Sequence, residues 1–272
     1  MKLKDWLKIS NKKLEDSDIS TARLDCLVLL EDVLGKNRTH LLANPDIDLS
    51  KAELSVLNEY IERRALHEPL AYIRGKSEFY GREFLVNSRT LEPRPETETL
   101  IDMLKSIKLK EHDRIADIGT GSGCIAITVK LELPELDVFA TDIDQSCITT
   151  GFKNARKLGA DITFYKGNLI EPLHGLPLTV VLSNLPYVPD KYELNQAAKF
   201  EPRRAIFGGE DGLDLYRKMF AQISSSAHRP VHVLTESLPF QHGVLTEIAM
   251  ASRYGLLDTD DFIQHFTTLN NQ

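Results

Sequence analysis

The chain has 272 residues, 42% of them hydrophobic, with 33 Lys+Arg against 40 Asp+Glu and a formal net charge of −7. That length supports one large domain plus a small one. Residues 1–110 carry 19 basic and 19 acidic side chains and residues 111–272 carry 14 and 21, so the acidic second part should repel a phosphate backbone, which argues against duplex nucleic acid as its substrate.

Cys26, Cys124 and Cys147 are far apart and form no Cys-x-x-Cys pair, so neither a disulfide framework nor a zinc site is indicated. The start "MKLKDWLKISNKK" lacks the uninterrupted apolar core of a signal peptide, and no apolar run is long enough to span a bilayer. A soluble protein of a reducing compartment, the cytoplasm, is expected.

Residues 1–75 read as a helical bundle. The stretch "STARLDCLVLLEDVLG" predicts a helix with Leu24, Leu27, Val28 and Leu34 on its buried stripe, Ser20 as N-cap and Gly35 as stop. In "SKAELSVLNEYIERRA" Ser50 and Glu53 form a capping box ahead of the stripe Leu54, Leu57, Ile61 and Ala65. No polar residues converge on a point here, which fits a recognition or docking module. Residues 76–97 change to short alternating pieces around Gly81, with Phe84 and Val86 on one face, and read as a β-hairpin linker ending in "LEPRPETETL".

From 98 to 272 strand and helix signals alternate. "RIADIG", "DVFATDID", "ITFYKG", "TVVLSN" and "VHVLTES" read as strands, with "CIAITVKLEL" and "CITTGFKNARKLG" as helices. Such alternation implies an α/β domain with a mostly parallel sheet covered on both faces.

The first turn of that domain is "DIGTGSG", Asp117 to Gly123. Glycines at 119, 121 and 123 permit a sharp turn and close approach of backbone to a ligand. Asp142 ends the next strand, where a carboxylate can accept hydrogen bonds from both hydroxyls of a ribose. Together they indicate an adenosine-containing cofactor, and the Gly-x-Gly-x-Gly spacing differs from the Gly-x-Gly-x-x-Gly of dinucleotide sites.

The strand "TVVLSN" ends in Asn-Leu-Pro-Tyr, residues 184–187. If it neighbours the first strand, Asn184 emerges beside Gly119 at the reactive end of the crevice. Asn184 Oδ1 and the Leu185 carbonyl, held outward by Pro186, could each accept a hydrogen of an acceptor amide or amine, with Tyr187 packed against its flat face.

These stretches resemble the S-adenosylmethionine-dependent methyltransferases that act on peptide chain release factors (PrmC/HemK type). The resemblance runs over nearly the whole chain, through "STARLDCLVLLEDVLG", "RRALHEPLAYIRG", "LEPRPETE", "DIGTGSG" and "FEPRRAIFGGEDGLDLYR". It implies a small N-terminal helical bundle (1–75), a hairpin linker (76–97) and a Rossmann-like class I methyltransferase domain (98–272). It implies transfer of a methyl group from S-adenosyl-L-methionine, leaving S-adenosyl-L-homocysteine, to the glutamine N(5) of a release factor's Gly-Gly-Gln motif. Asn184, Leu185, Pro186 and Tyr187 would hold that glutamine. Asp117, near the methionine part, Gly119, Thr120, Gly121, Ser122, Gly123, Asp142 on the ribose, Asn168 and Leu169 beside the adenine, and Asn184 would line the cofactor.

Three departures stand out. Leu185 replaces the first proline of the family's Asn-Pro-Pro-Tyr and removes one φ restraint. "VHVLTESLPFQHG" lacks an expected glycine-rich turn, and Leu169 replaces a commonly aromatic residue. Two other readings stay open: methylation of an exocyclic amine of a nucleic-acid base, for which a basic track is missing, and cofactor binding without catalysis. His228 and His232 flank Pro230, which rules out one helix aiming both at a metal. "GGEDGLD" has the wrong spacing for a calcium loop. Arg94, Glu96 and Glu98 either shape the cofactor entrance or cap a helix. No metal, membrane or direct nucleic-acid partner is expected, and nothing requires more than a monomer.

Overall fold

The computed structural model describes residues 1–269. They form two compact units, residues 1–75 with 194–200, and residues 76–193 with the described residues from 201 to 269.

The smaller unit holds helices α1 (Leu3–Glu15), α2 (Ala22–Leu34), α3 (Arg38–Ala43), α4 (Lys51–Ala65) and α5 (Leu70–Arg74). The capping box opens α4: Ser50 Oγ accepts from Glu53 N at 3.2 Å and Glu53 Oε2 accepts from Ser50 N at 2.7 Å. Leu57 and Ile61 are buried as expected, with Leu54 and Ala65 packed beside them. The stripe of α2 differs from the sequence reading. Leu24 is 46% exposed, while Ala22, Cys26, Leu27, Leu29 and Leu30 are buried. The helix packs against both α1 and α4, so its buried face is wider than a single stripe. Nor does Ser20 cap it, since Thr21 occupies that position without a side-chain bond. Asp25, buried on the same face, accepts a hydrogen bond from Arg64 Nε at 2.7 Å, which satisfies a charge that would otherwise be costly inside.

The larger unit opens with the hairpin β1 (Lys76–Phe79) and β2 (Arg82–Leu85). Its two-residue turn, Tyr80 and Gly81, has φ of +50° and +68°, the twist that two-residue hairpins favour. Phe79 and Phe84 pack edge to face beneath it at 6.2 Å. A 3-10 turn at Pro95–Thr97 leads into α6 (Glu98–Ser106). There follow β3 (Arg114–Ile118), α7 (Cys124–Glu132), β4 (Asp137–Asp142), α8 (Gln145–Leu158), β5 (Thr163–Lys166), β6 (Val180–Ser183), α9 (Arg203–Ile206), α10 (Asp214–Ser225), β7 (His232–Glu236), α11 (His242–Ala251), β8 (Tyr254–Asp260) and β9 (Ile263–Thr268).

The strands form one sheet in the order β5-β4-β3-β6-β7-β9-β8. The first five are parallel, and β9 lies antiparallel between β7 and β8. Two apolar layers cover the sheet. One gathers Leu100, Ile101, Leu104, Ile125 and Val129 from α6 and α7; the other gathers Tyr216, Met219, Phe220, Leu245 and Ala249 from α10 and α11. This is the Rossmann-like α/β architecture expected from the sequence. The chain winds from β3 outward to β5, then crosses to β6 on the other side of β3. The order therefore reverses between β3 and β6, where a crevice opens at the strands' carboxyl ends.

Candidate active site

Parallel pairing sets Ile118 of β3 opposite Ser183 of β6, so the next residues, Gly119 and Asn184, leave the sheet side by side. A cavity lies there, lined by Gly119 to Ser122, Asp142, Asn168, Leu169, Asn184, Leu185 and Pro186, with Arg89, Arg94, Thr97 and Arg204 among the residues around it.

The glycine loop is held from behind. Gly119 N and Thr120 N both donate to the Thr141 carbonyl at 2.9 Å. Asp117 Oδ2 accepts from Thr120 Oγ1 at 2.6 Å and from Ala126 N at 3.2 Å, bracing the loop against α7. Asp117 itself is buried behind the cavity wall, and Oδ1 has no hydrogen-bond partner among the described residues. Burial pushes its carboxyl up to about 7.

Gly119, Gly121 and Gly123 all have left-handed backbones, with φ of +77°, +55° and +81°, yet their surroundings differ. A Cβ on Gly121 would meet nothing within 4 Å; on Gly123 it would lie 3.1 Å from the Gly151 Cα. Gly121 thus leaves space for a ligand, whereas Gly123, which does not line the cavity, lets α7 and α8 approach. At the end of β4, Asp142 Oδ2 accepts from Gly121 N at 3.0 Å and Oδ1 from Asp144 N at 2.8 Å. Burial raises its carboxyl. Leu169 has φ +56° and is pinned through its carbonyl, which accepts from Thr141 Oγ1 at 2.8 Å. Asn168 turns its amide outward to Glu171 Oε1 at 2.7 Å.

Across the crevice, Asn184 Nδ2 donates to Thr97 Oγ1 at 3.0 Å, and Thr97 Oγ1 donates to Glu236 Oε2 at 2.6 Å. With its NH₂ engaged there, Asn184 Oδ1 remains the free acceptor of the amide. Tyr187 does not line the cavity: its hydroxyl donates to the other Glu236 oxygen at 2.9 Å. The Tyr187 carbonyl accepts from Gln241 Nε2 at 2.7 Å, which also reaches the Asp211 carbonyl at 2.7 Å.

The stretch "GGEDGLD" wraps this loop. A Cβ on Gly208 would fall 2.2 Å from the Pro186 carbonyl, and one on Gly212 1.9 Å from the Tyr187 carbonyl. These glycines are therefore required for close approach of two backbones. Leu185 is buried, its Cδ2 2.9 Å from where a Gly119 Cβ would stand.

Of the sequence-selected residues, Gly119, Thr120, Gly121, Ser122, Asp142, Asn168, Leu169, Asn184, Leu185 and Pro186 share the cavity wall; Asp117, Gly123 and Tyr187 support it from outside. Each of the three is turned away by a partner or neighbour it satisfies: Thr120 and Ala126, Gly151, and Glu236. In "LEPRPETE" the residue that reaches Asn184 is Thr97. Arg94 also lines the cavity and pairs with buried Glu201, while Glu98 Oε1 accepts from the Tyr80 N–H at 2.7 Å. Thr97, Tyr216, Glu236 and Gln241 escaped sequence reasoning because each acts by a bond across more than twenty positions of chain or more than one element. A buried acid closing a strand, Glu236 at the end of "VHVLTE", was the available signal.

Comparison with known proteins matches residues 5–75 to the PrmC N-terminal domain and residues 95–200 to the methyltransferase small domain. The chain is 41% identical over 218 residues to the release factor glutamine methyltransferase of Bacillus cereus, covering 77% of each. It is 38% identical over 229 residues to that of Koribacter versatilis, covering 82% of this chain and 81% of the other. A methyltransferase from Pyrococcus furiosus shares the fold at a TM-score of 0.52 and 17% identity, over 70% of this chain and 91% of that one. Identity at this level and coverage places the chain in the family of release factor glutamine methyltransferases.

Proposed function

We propose that the chain transfers a methyl group from S-adenosyl-L-methionine to the side-chain N(5) of the glutamine in the Gly-Gly-Gln motif of peptide chain release factors. The observation that carries this reading is Asn184, set opposite Gly119 with its NH₂ committed to Thr97 and its Oδ1 available to a substrate amide hydrogen. A glutamine NH₂ has two hydrogens to satisfy, and the Leu185 carbonyl supplies the second acceptor.

The residues present fit the cofactor. Gly121 leaves room where any side chain would protrude, and Asp142 lines the cavity with a carboxylate fixed by two backbone donors. The unpartnered Oδ1 of Asp117 behind the loop suits a nearby ammonium or a bridging water. When bound, S-adenosylmethionine supplies a methyl group on a sulfonium, a strong electrophile needing no metal. The protein's part is to align the amide and exclude water, a positioning effect with a ceiling of about 7–11 kcal/mol. No general base is required before transfer, because methylation itself makes the nitrogen acidic.

The test is transfer of labelled methyl from S-adenosylmethionine to a purified release factor and to the same factor with its Gly-Gly-Gln glutamine changed to alanine. Label in the first alone supports the reading. Label in neither, with cofactor binding intact, overturns it in favour of another substrate or a non-catalytic role.

A further inference from the structure

Leu185 carries a backbone N–H that a proline there would lack, and that N–H donates to Tyr216 Oη at 3.2 Å. Tyr216, fully buried on α10, donates its own hydroxyl hydrogen bond to the Glu236 backbone carbonyl. The Glu236 carboxylate, itself 1% exposed, takes Thr97 on one oxygen and Tyr187 on the other. One residue at the end of β7 therefore anchors the Asn-Leu-Pro-Tyr loop at three points: Asn184 through Thr97, Leu185 through Tyr216, and Tyr187 directly.

We propose that Glu236 and Tyr216 are positioning residues for the acceptor loop, and that the Leu185 N–H to Tyr216 bond replaces the φ restraint that a proline ring would give. This rests on reading 184–187 as the acceptor loop. The bond fixes the Asn184–Leu185 peptide plane, and with rotation about N–Cα limited by the buried Leu185 side chain, the two together restrict where the Leu185 carbonyl can point. The Leu185 side chain supplies the packing against Gly119, so the substitution keeps the loop's bulk while exchanging a covalent restraint for a hydrogen bond. Glu236 acts on the amide orientation instead. Without an acceptor beyond it, the Thr97 hydroxyl could turn and release Asn184 Nδ2, and Oδ1 and Nδ2 could exchange places.

The experiment is a double-mutant cycle on the full chain with Leu185→Pro and Tyr216→Phe, alongside Glu236→Leu, which removes the acceptor, and Thr97→Val. Two readouts are taken. The first, without substrate, is solvent exchange of the Asn184 side-chain amide protons by nitrogen-resolved NMR, which should be slow in the wild-type protein. Loss of that slow exchange in Glu236→Leu and Thr97→Val, with wild-type exchange in Leu185→Pro, is expected. Unchanged exchange in both would overturn the Glu236 role whatever the substrate is.

The second readout is kcat against KM for methylation of a purified release factor. Tyr216→Phe is expected to lower kcat about tenfold with KM nearly unchanged, and to cost less in the Leu185→Pro background, where no N–H remains to be held. Equal losses in both backgrounds would overturn the Leu185 restraint. If the wild-type chain transfers no methyl, the acceptor reading fails on its own, and the Leu185 N–H exchange rate compared between wild type and Tyr216→Phe still decides the restraint, an unchanged rate overturning it.

Discussion

Three glycines in one loop carry different duties, and their substitution by alanine should separate them. Gly121→Ala places a methyl in open space at φ +55°, costing only about 1 kcal/mol of stability while obstructing the cavity. The expected outcome is a melting temperature close to wild type with cofactor affinity reduced at least tenfold, checked by calorimetric titration. Gly123→Ala meets the Gly151 backbone at 3.1 Å, and should destabilise by about 2–4 kcal/mol, seen in urea unfolding. The glycine spacing in the sequence pointed to a loop for a ligand, but it could not tell these roles apart. Spacing is local, whereas the difference lies in whether α8 or empty space faces each residue. Asp117 shows the same limit. An acid ahead of the glycines was legible; that it braces Thr120 and Ala126 from behind was not.

At the scale of elements, the hairpin and the glycine loop are joined by one side chain on α8. Asn154, fully buried, accepts from Leu85 N at 2.7 Å and donates to the Leu85 and Ser122 carbonyls at 3.0 and 2.9 Å. Asn154→Ala removes all three bonds where water cannot easily replace them, and should cost about 2–4 kcal/mol. It should also weaken cofactor binding, because Ser122 belongs to the cavity wall. A loss below 0.5 kcal/mol by chemical denaturation would show that the two elements hold without it. The five parallel strands, with α7 and α8, were readable from apolar runs bounded by turns. β8 and β9 were not singled out, since β8 is an edge strand whose residues 256–260 are exposed, and its Asp258 and Asp260 break the apolar alternation that marks a buried strand. The buried face of α2 was misread for a related reason: packing on two helices widens a stripe in a way no single periodicity expresses.

For the whole molecule, ionisable groups inside the larger unit pull stability in opposite directions with pH. His265, buried between strands, faces His232 with Nε2 and Nδ1 3.0 Å apart, and burial with the neighbouring imidazole lowers its pKa to about 4. The folded state therefore binds fewer protons than the unfolded one between about pH 6.5 and its folded pKa. The stability this group contributes is present above that window and lost as pH falls through it. Asp117, Glu201 and Glu236 have carboxyls raised by burial; they act in the opposite sense, disfavouring the folded state as pH rises above the carboxylate range. The histidine effect is thus read as a difference. Between pH 7 and pH 5, His265→Gln should lose less stability than wild type, as measured by chemical denaturation at each pH. Equal slopes would mean that the pair is not held unprotonated. The acidic net charge was plain in the sequence, but that His265 meets His232 was settled only by strand register, which sets His265 opposite Leu234 and so diagonal to His232.

The most direct measurement is methyl transfer to a release factor by Asn184→Asp and Asn184→Ala, with S-adenosylmethionine affinity titrated in parallel. If Asn184 presents Oδ1 to the glutamine amide, both variants should lose about 10²-fold or more in kcat while cofactor affinity changes by less than a few-fold. Retention of near wild-type kcat by Asn184→Ala, on a factor methylated at its Gly-Gly-Gln glutamine, would contradict the assignment of this loop as the acceptor grip.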